Sequence, residues 1–325
     1  MQEISPTPEI QEISTLETES EDEKPDFVKK IESFDINNLT SENIEFISQT
    51  IQNYFLETFP VKPEIIERLP DHITILNAEE FRDKMGEDVK IINPDEMTGF
   101  YSPDFDKIFI NKSTHKTPEA LFTTMFHESL HFASIEAGAG LTGEFLCPED
   151  AHNENIDSQI YTGLHTLEEG TTQLITFASV IDDMGFNRET TMFGYESEWH
   201  IMRTIWTPFS RNVLHAYFEM PIEDLRAHIE KIFEPNGQLP PKRTNGVFTE
   251  CLSQIGIATE NMNEALETWG KGGDPDQVLT DIRHAVGLYI VQDCKVNNKE
   301  LTEDDKEWLH EYLEPYIKDK EANVQ

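Results

Sequence analysis

The sequence predicts an α+β fold that is mainly helical. Between residues 72 and 111 apolar residues fall in short β-prone runs, whereas before residue 60 and from residue 118 onward they recur at three- and four-residue spacing. Pro- and Gly-rich breaks separate these stretches. With 20 Phe and 4 Trp in a 37% hydrophobic chain, there is enough apolar material for a real core.

The elements follow in order. Residues 1–25 hold eight acids, one base and three prolines without apolar periodicity, the composition of a disordered acidic tail. Residues 26–70 form an N-terminal helical segment: Phe27, Ile31 and Phe34, then Ile44, Ile47, Ile51, Tyr54 and Phe55, lie on helical faces until Pro60 and Pro63 break them. The remainder, 71–325, reads as one domain with a sheet lobe over 71–138 and a helical lobe over 164–325. Residues 72–76 are a short strand and 78–85 a helix. Residues 99–111 form a hairpin turning at Pro103-Asp104. Thr117 as N-cap, Pro118 at the first helical position and Glu119 at the positive helix end start a helix over 118–136. Leu121, Phe122, Met125, Phe126, Leu130 and Phe132 make it apolar nearly all round, so it is buried, and Gly138 and Gly140 end it. Residues 139–163 read as an extended loop. A second buried helix spans 166–180, and further helices span 196–218, 221–233, 247–268, 275–292 and 302–317.

Charge narrows the function classes. The chain carries 25 Lys+Arg against 63 Asp+Glu, a net −38. No basic cluster offsets this, so nucleic acid and anionic membrane surfaces are excluded as partners, while a basic peptide or protein is favoured. The N-terminus lacks a basic and an apolar signal region, and no apolar run reaches the ~18 residues that span a bilayer. Three scattered cysteines form no disulfide framework. The expectation is a cytoplasmic protein, with signal-independent export left open; the oligomeric state is not encoded legibly.

The sharpest feature is His127-Glu128-Ser129-Leu130-His131. On a helix, residues four apart project to one side, so both imidazoles reach one ion while Glu128 borders it. Two neutral imidazoles supply half a tetrahedral Zn2+ shell, and a carboxylate beside an open coordination position can take a proton from water. These polar groups interrupt an otherwise apolar helix, where unpaired burial would cost about 1–3 kcal/mol each. A third ligand is needed, and Leu167-Glu168-Glu169-Gly170-Thr171-Thr172 supplies two adjacent carboxylates on the second buried helix.

An HExxH helix followed by a helix with this Glu-Glu-Gly-x-Thr opening resembles the gluzincin group of zinc metallopeptidases, over residues ~99–200. The resemblance implies a zincin-like fold: a small N-terminal sheet lobe, a central HExxH helix and a helical C-terminal lobe. It implies a peptidase in which His127, His131 and Glu169 hold zinc and Glu128 acts as general base. Where the group usually has Asn or Asp, this chain has Glu168, which stays open as an alternative ligand. The resemblance also implies an edge strand beside the cleft, expected at Lys107–Asn111, and an oxyanion donor, for which Tyr195 leads Tyr161 and His200. Thr172 or Gln173 would orient a ligand from the next helical turn. No later histidine completes HExxHxxGxxH, which argues against a metzincin, and Cys147 does not sit as the ligand cysteine of peptide deformylases does.

Two further expectations remain. His165 or His152 could join a second metal site, and Glu149, Asp150, Asn153 and Asp157 form an acidic set without EF-hand spacing. The competing function is an acidic protein-binding module, a nucleic-acid mimic or pseudoenzyme, with zinc in a structural role.

Overall fold

The computed structural model describes residues 24–85, 97–102, 105–136, 158–191, 194–206, 213–214, 217–219, 247–268 and 306. The acidic tail but for its last two residues, the Pro103-Asp104 turn, the loop residues 139–157 with His152 and the acidic set, and the helices expected over 221–233, 275–292 and 302–317 lie outside these residues, Lys306 apart. Within them the chain is mainly helical with a small three-stranded sheet, an α+β architecture.

The N-terminal segment folds as α1 (Asp26–Glu32), α2 (Ser41–Thr58), α3 (Pro63–Ile66) and α4 (Leu69–His72). Thr40 starts α2 with a reciprocal cap: its hydroxyl accepts from the Asn43 N–H at 3.2 Å, and the Asn43 side chain accepts from its own N–H at 3.0 Å. Ile47, Ile51 and Phe55 lie four apart and are fully buried. Phe55 meets Phe126 edge-on at 5.1 Å, so this segment shares one core with the helix that carries the HExxH pattern. Each such ring contributes roughly 1.5–3 kcal/mol by leaving water.

β1 (Ile73–Leu76), α5 (Ala78–Met85), β2 (Gly99–Ser102) and β3 (Lys107–Asn111) follow. The strand order is β1-β3-β2. β1 runs parallel to β3 with Ile73 opposite Ile108, and β2 runs antiparallel with Gly99 opposite Ile110. The hairpin strands lie where the sequence places them. The edge strand does not: Lys107–Asn111 is the central strand, bonded on both sides. Ile108, Phe109 and Ile110 are buried on both faces, as a central strand requires and an open edge does not.

α6 (Pro118–Glu136) starts as expected, with the Ala120 N–H donating to the Thr117 hydroxyl at 3.1 Å. α7 (Ser158–Phe177) begins at Ser158 rather than Thr166, and a π-helical stretch, Ala178–Asp183, extends it. Ile160, Leu164 and Leu167 already carry its apolar face, but Gly163 among them reads as a loop residue in the sequence. Its reason is tertiary. A Cβ on Gly163 would fall on the Leu252 backbone of α9 (Val247–Glu267), and one on Gly256 of α9 would fall on the Gln159 carbonyl of α7. The two helices cross backbone to backbone, and the Thr166 and Thr259 hydroxyls bond there at 2.8 Å. α8 (Glu196–Trp206) packs on the other side of α7, where a Cβ on Gly170 would lie 2.6 Å from the Glu198 carbonyl. α8 covers the first part of the helix expected over 196–218; residues 213–214 and 217–218 are helical again.

Candidate metal centre

α6 and α7 bring the ligand candidates together. His127 and His131, one helical turn apart, direct their Nε2 atoms to the same point, 3.3 Å from each other. Glu169 Oε2 closes the triangle at 3.1 Å from His127 Nε2 and 3.5 Å from His131 Nε2. Both histidines are buried and Glu169 is partly so, and this set can hold a metal ion.

Glu168, the alternative ligand, lies elsewhere. Successive helical residues point about 100° apart, so only one of the pair faces the triangle. Glu168 Oε1 sits 3.6 Å from His131 Nδ1, on the ring nitrogen away from the cluster, where a carboxylate fixes the ring and its tautomer. Both glutamates lie well inside α7, so neither is a solvated charge at a helix start.

Glu128 is buried beside the triangle. The backbone N–H of Tyr101, on β2, donates to its carboxylate. That contact makes β2 the strand edge that borders the site, the place assigned to β3 from sequence. Burial pushes the Glu128 carboxyl above its usual range, against the pull of His127 and His131. For Glu169 burial also acts upward, but His131 and His127 outweigh it and hold the group well below the usual carboxylate range. Burial disfavours the charged His131, yet the surrounding carboxylates, Glu169 foremost, raise it to about 10. The pocket therefore demands positive charge at the triangle. Among the described residues no lysine or arginine pairs with Glu128 or Glu169.

Tyr195 borders the triangle, 39% exposed, with its ring stacked on His127 at a centroid distance of 5.9 Å. It occupies the left-handed region at φ 53°, and its carbonyl accepts the first helical bond of α8 from the Trp199 N–H. A non-glycine residue held there costs about 1–3 kcal/mol, which the surrounding packing must sustain. Desolvation on its buried side, with Glu169 and Glu128 nearby, pushes the phenol above its usual range, so it stays a proton donor at neutral pH. Tyr161 is 62% exposed and meets His165, whose ring in turn meets Tyr195 at 5.4 Å. His165 belongs to this aromatic edge and not to the metal cluster. His200 packs against Trp199.

Thr172 bonds the Glu168 carbonyl at 2.9 Å and the Tyr217 hydroxyl at 2.7 Å. Tyr217 is the residue that sequence reasoning misses. Fully buried, it also accepts at its carbonyl from Ser134 of α6 at 2.9 Å, so it ties the two ligand-bearing helices together. Nothing in its local sequence marks it, because its partners lie far along the chain. Among the described residues Gln173 makes no hydrogen bond to a ligand candidate, and it lines a separate cavity with Trp199.

Comparison with protein-family models, with curated proteins and with solved structures returns no match to this chain.

Proposed function

We propose that the chain is a zinc-dependent peptidase of the zincin type, with His127, His131 and Glu169 as metal ligands. One observation carries this reading. The donor triangle has edges of 3.1, 3.3 and 3.5 Å. A tetrahedral zinc shell with bonds of about 2.0–2.1 Å has donor–donor edges of about 3.3–3.4 Å. Two imidazoles and one carboxylate are also the donor set of catalytic zinc sites that keep a fourth position open. A zinc ion bound there would supply an acidified water and polarise a carbonyl.

The chain's own residues divide the remaining work. Glu128, its basicity raised by burial, takes the proton from the attacking water and passes it to the leaving amine. Tyr195, still protonated, donates to the oxygen on which negative charge develops. Glu168 holds the His131 ring in place. As the outer strand of the sheet among the described residues, β2 offers the backbone groups not taken by Glu128 for an extended peptide to pair with. The zincin arrangement of sheet lobe, HExxH helix and helical lobe belongs to the same proposal. So do the cytoplasmic setting and the preference for basic peptides. Among the described residues no helix is long and apolar enough to cross a membrane.

Zinc stoichiometry together with digestion of a mixed peptide library tests the proposal. The expected outcome is one zinc per chain and peptide cleavage, both lost in His131→Ala. A stoichiometric zinc protein that cuts no peptide would overturn it and favour the acidic binding module.

A further inference from the structure

Among the described residues four large apolar side chains are exposed: Leu56, Phe105, Tyr161 and Tyr195. Leu56 lies on α2, and Phe105 has the Lys84 Nζ 5.8 Å from its ring centroid. Tyr161 and Tyr195 differ from these in being joined. The His165 ring lies 6.4 Å from that of Tyr161 and 5.4 Å from that of Tyr195. Tyr161, His165 and Glu169 follow one another at four-residue spacing, so they share one face of α7. Tyr195 in turn stacks on the ligand candidate His127. A strip of rings therefore leads from the metal centre to solvent. Single exposed apolar residues are ordinary, whereas a joined row that ends at a site marks a contact surface.

Charge narrows what the strip would hold. An aromatic face attracts cations through its quadrupole. The carboxylates of Glu169, Glu128, Glu198 and Glu168 all act on the Tyr195 hydroxyl. A Zn2+ ion would offset two of these four charges, so the inner end of the strip stays negative with the metal in place. Glu196, next to Tyr195, is exposed as well. Among cationic side chains, the planar guanidinium both stacks on rings and pairs with carboxylates, and an ammonium matches neither geometry as closely. The protein makes such pairs itself: the Arg188 guanidinium lies 5.4 Å from the Phe177 ring centroid and that of Arg203 lies 5.2 Å from Trp199.

We propose that the Tyr161–His165–Tyr195 strip binds an arginine side chain of a peptide, its guanidinium laid on the exposed tyrosine rings and drawn by the carboxylates at the inner end. At 1.5 Å per helical residue, His165 stands about 6 Å along α7 from Glu169 and Tyr161 about 12 Å. An extended peptide advances about 3.3 Å per residue. The arginine therefore belongs about two to four residues from the cleaved bond. That register rests on the peptidase reading; the binding of arginine does not.

The test compares alanine-based peptides carrying one arginine with partners carrying citrulline, its neutral isostere, or phenylalanine. Calorimetric titration of the full chain in the presence of zinc gives the affinities, with Glu128→Gln used wherever the wild type cuts the peptide. Arginine should bind more tightly than citrulline. Tyr161→Ala should reduce that preference about two- to fivefold, the scale of an exposed cation–π contact, and Tyr161→Phe should retain it. Neither change alters the charge, so the field of the whole molecule stays the same. An equal preference in all three proteins would overturn the proposal and leave that field as its only source. So would no saturable binding, equal binding of arginine and citrulline, or tighter binding of phenylalanine, which would mark an apolar subsite. The wild type decides the matter even if Tyr161→Ala folds poorly: the arginine Cδ protons of a bound peptide move upfield in the NMR spectrum when they lie over a ring, and unshifted protons would overturn the proposal. Peptide cleavage measured on the same samples keeps the two readings apart. Arginine preference without cleavage leaves the strip standing and removes the peptidase; cleavage without the preference does the reverse.

Discussion

At the scale of single residues, adjacent glutamates have different tasks. Glu169 faces both Nε2 atoms, and Glu168 touches the far nitrogen of His131. Loss of a carboxylate that orients a ligand typically lowers metal affinity ~10–100-fold. Glu168→Gln should fall in that range, and Glu169→Gln should exceed it, as measured by competition with a chromogenic chelator. Equal losses would contradict the division. His115 gives a prediction away from the site. It is buried, with Nδ1 2.9 Å from the Asn111 carbonyl and Nε2 2.9 Å from the Thr124 hydroxyl. Burial pulls its imidazole down to about 4, against the bond to Asn111. Unfolded, it titrates near 6.5. Between those values the unfolded chain binds more protons, so stability is full above pH ~6.5 and is lost as pH falls toward 4. The loss is on the order of 3 kcal/mol. Denaturant melts at pH 7 and pH 4.5 should show a smaller pH-dependent loss for His115→Gln than for the wild type.

At the scale of elements, glycine positions decide how the helices meet. Glycine-to-alanine changes inside helices usually stabilise, by roughly 1 kcal/mol. Gly170→Ala should reverse that sign, because its Cβ would press to 2.6 Å on the Glu198 carbonyl, which is backbone and cannot swing away. Overpacking of this kind costs about 1–3 kcal/mol. Because α8 begins directly after Tyr195, the variant should also loosen the Tyr195–His127 stack. A calorimetric Tm at or above wild type would contradict this packing. The same glycines mark the limit of what the sequence shows. Helix α6 is legible because its cap and apolar run are local, and the His127–His131 spacing is legible because a helix turn is local. The start of α7 is hidden, since Gly163 looks like a loop residue until Leu252 is set against it. The central place of β3 is hidden too, because strand order depends on pairing with β1 across intervening chain. Glu169 was distinguishable from Glu168 only by the resemblance; the fold separates them by direction.

For the whole molecule, the net charge is −38, and the carboxylates beside His131 favour a cation at the centre as well. A field of that sign draws cationic peptides in and accelerates their encounter. Cleavage of a lysine-rich peptide should therefore slow in kcat/KM as ionic strength rises from ~0.01 to ~0.15 M and the Debye length contracts from about 30 to 8 Å. A neutral peptide should be little affected. If both respond alike, the acidity serves solubility and not the cleft. The sequence alone conveys the charge and the HExxH pattern, whereas the Tyr217 tie and the Gln173–Trp199 cavity arise only when helices distant in sequence are packed together.

The central claim is that a buried carboxylate beside the donor triangle does the proton transfer. Glu128→Gln preserves the side chain's shape and the three ligand candidates while removing its base. The most direct measurement is kcat on a cleaved peptide for zinc-loaded wild type and Glu128→Gln at equal zinc content. Positioned proton transfer contributes about 100- to 10,000-fold, and the variant should lose at least about 100-fold while keeping one zinc per chain. A Glu128→Gln protein that binds zinc and turns over peptide at the wild-type rate would contradict the account.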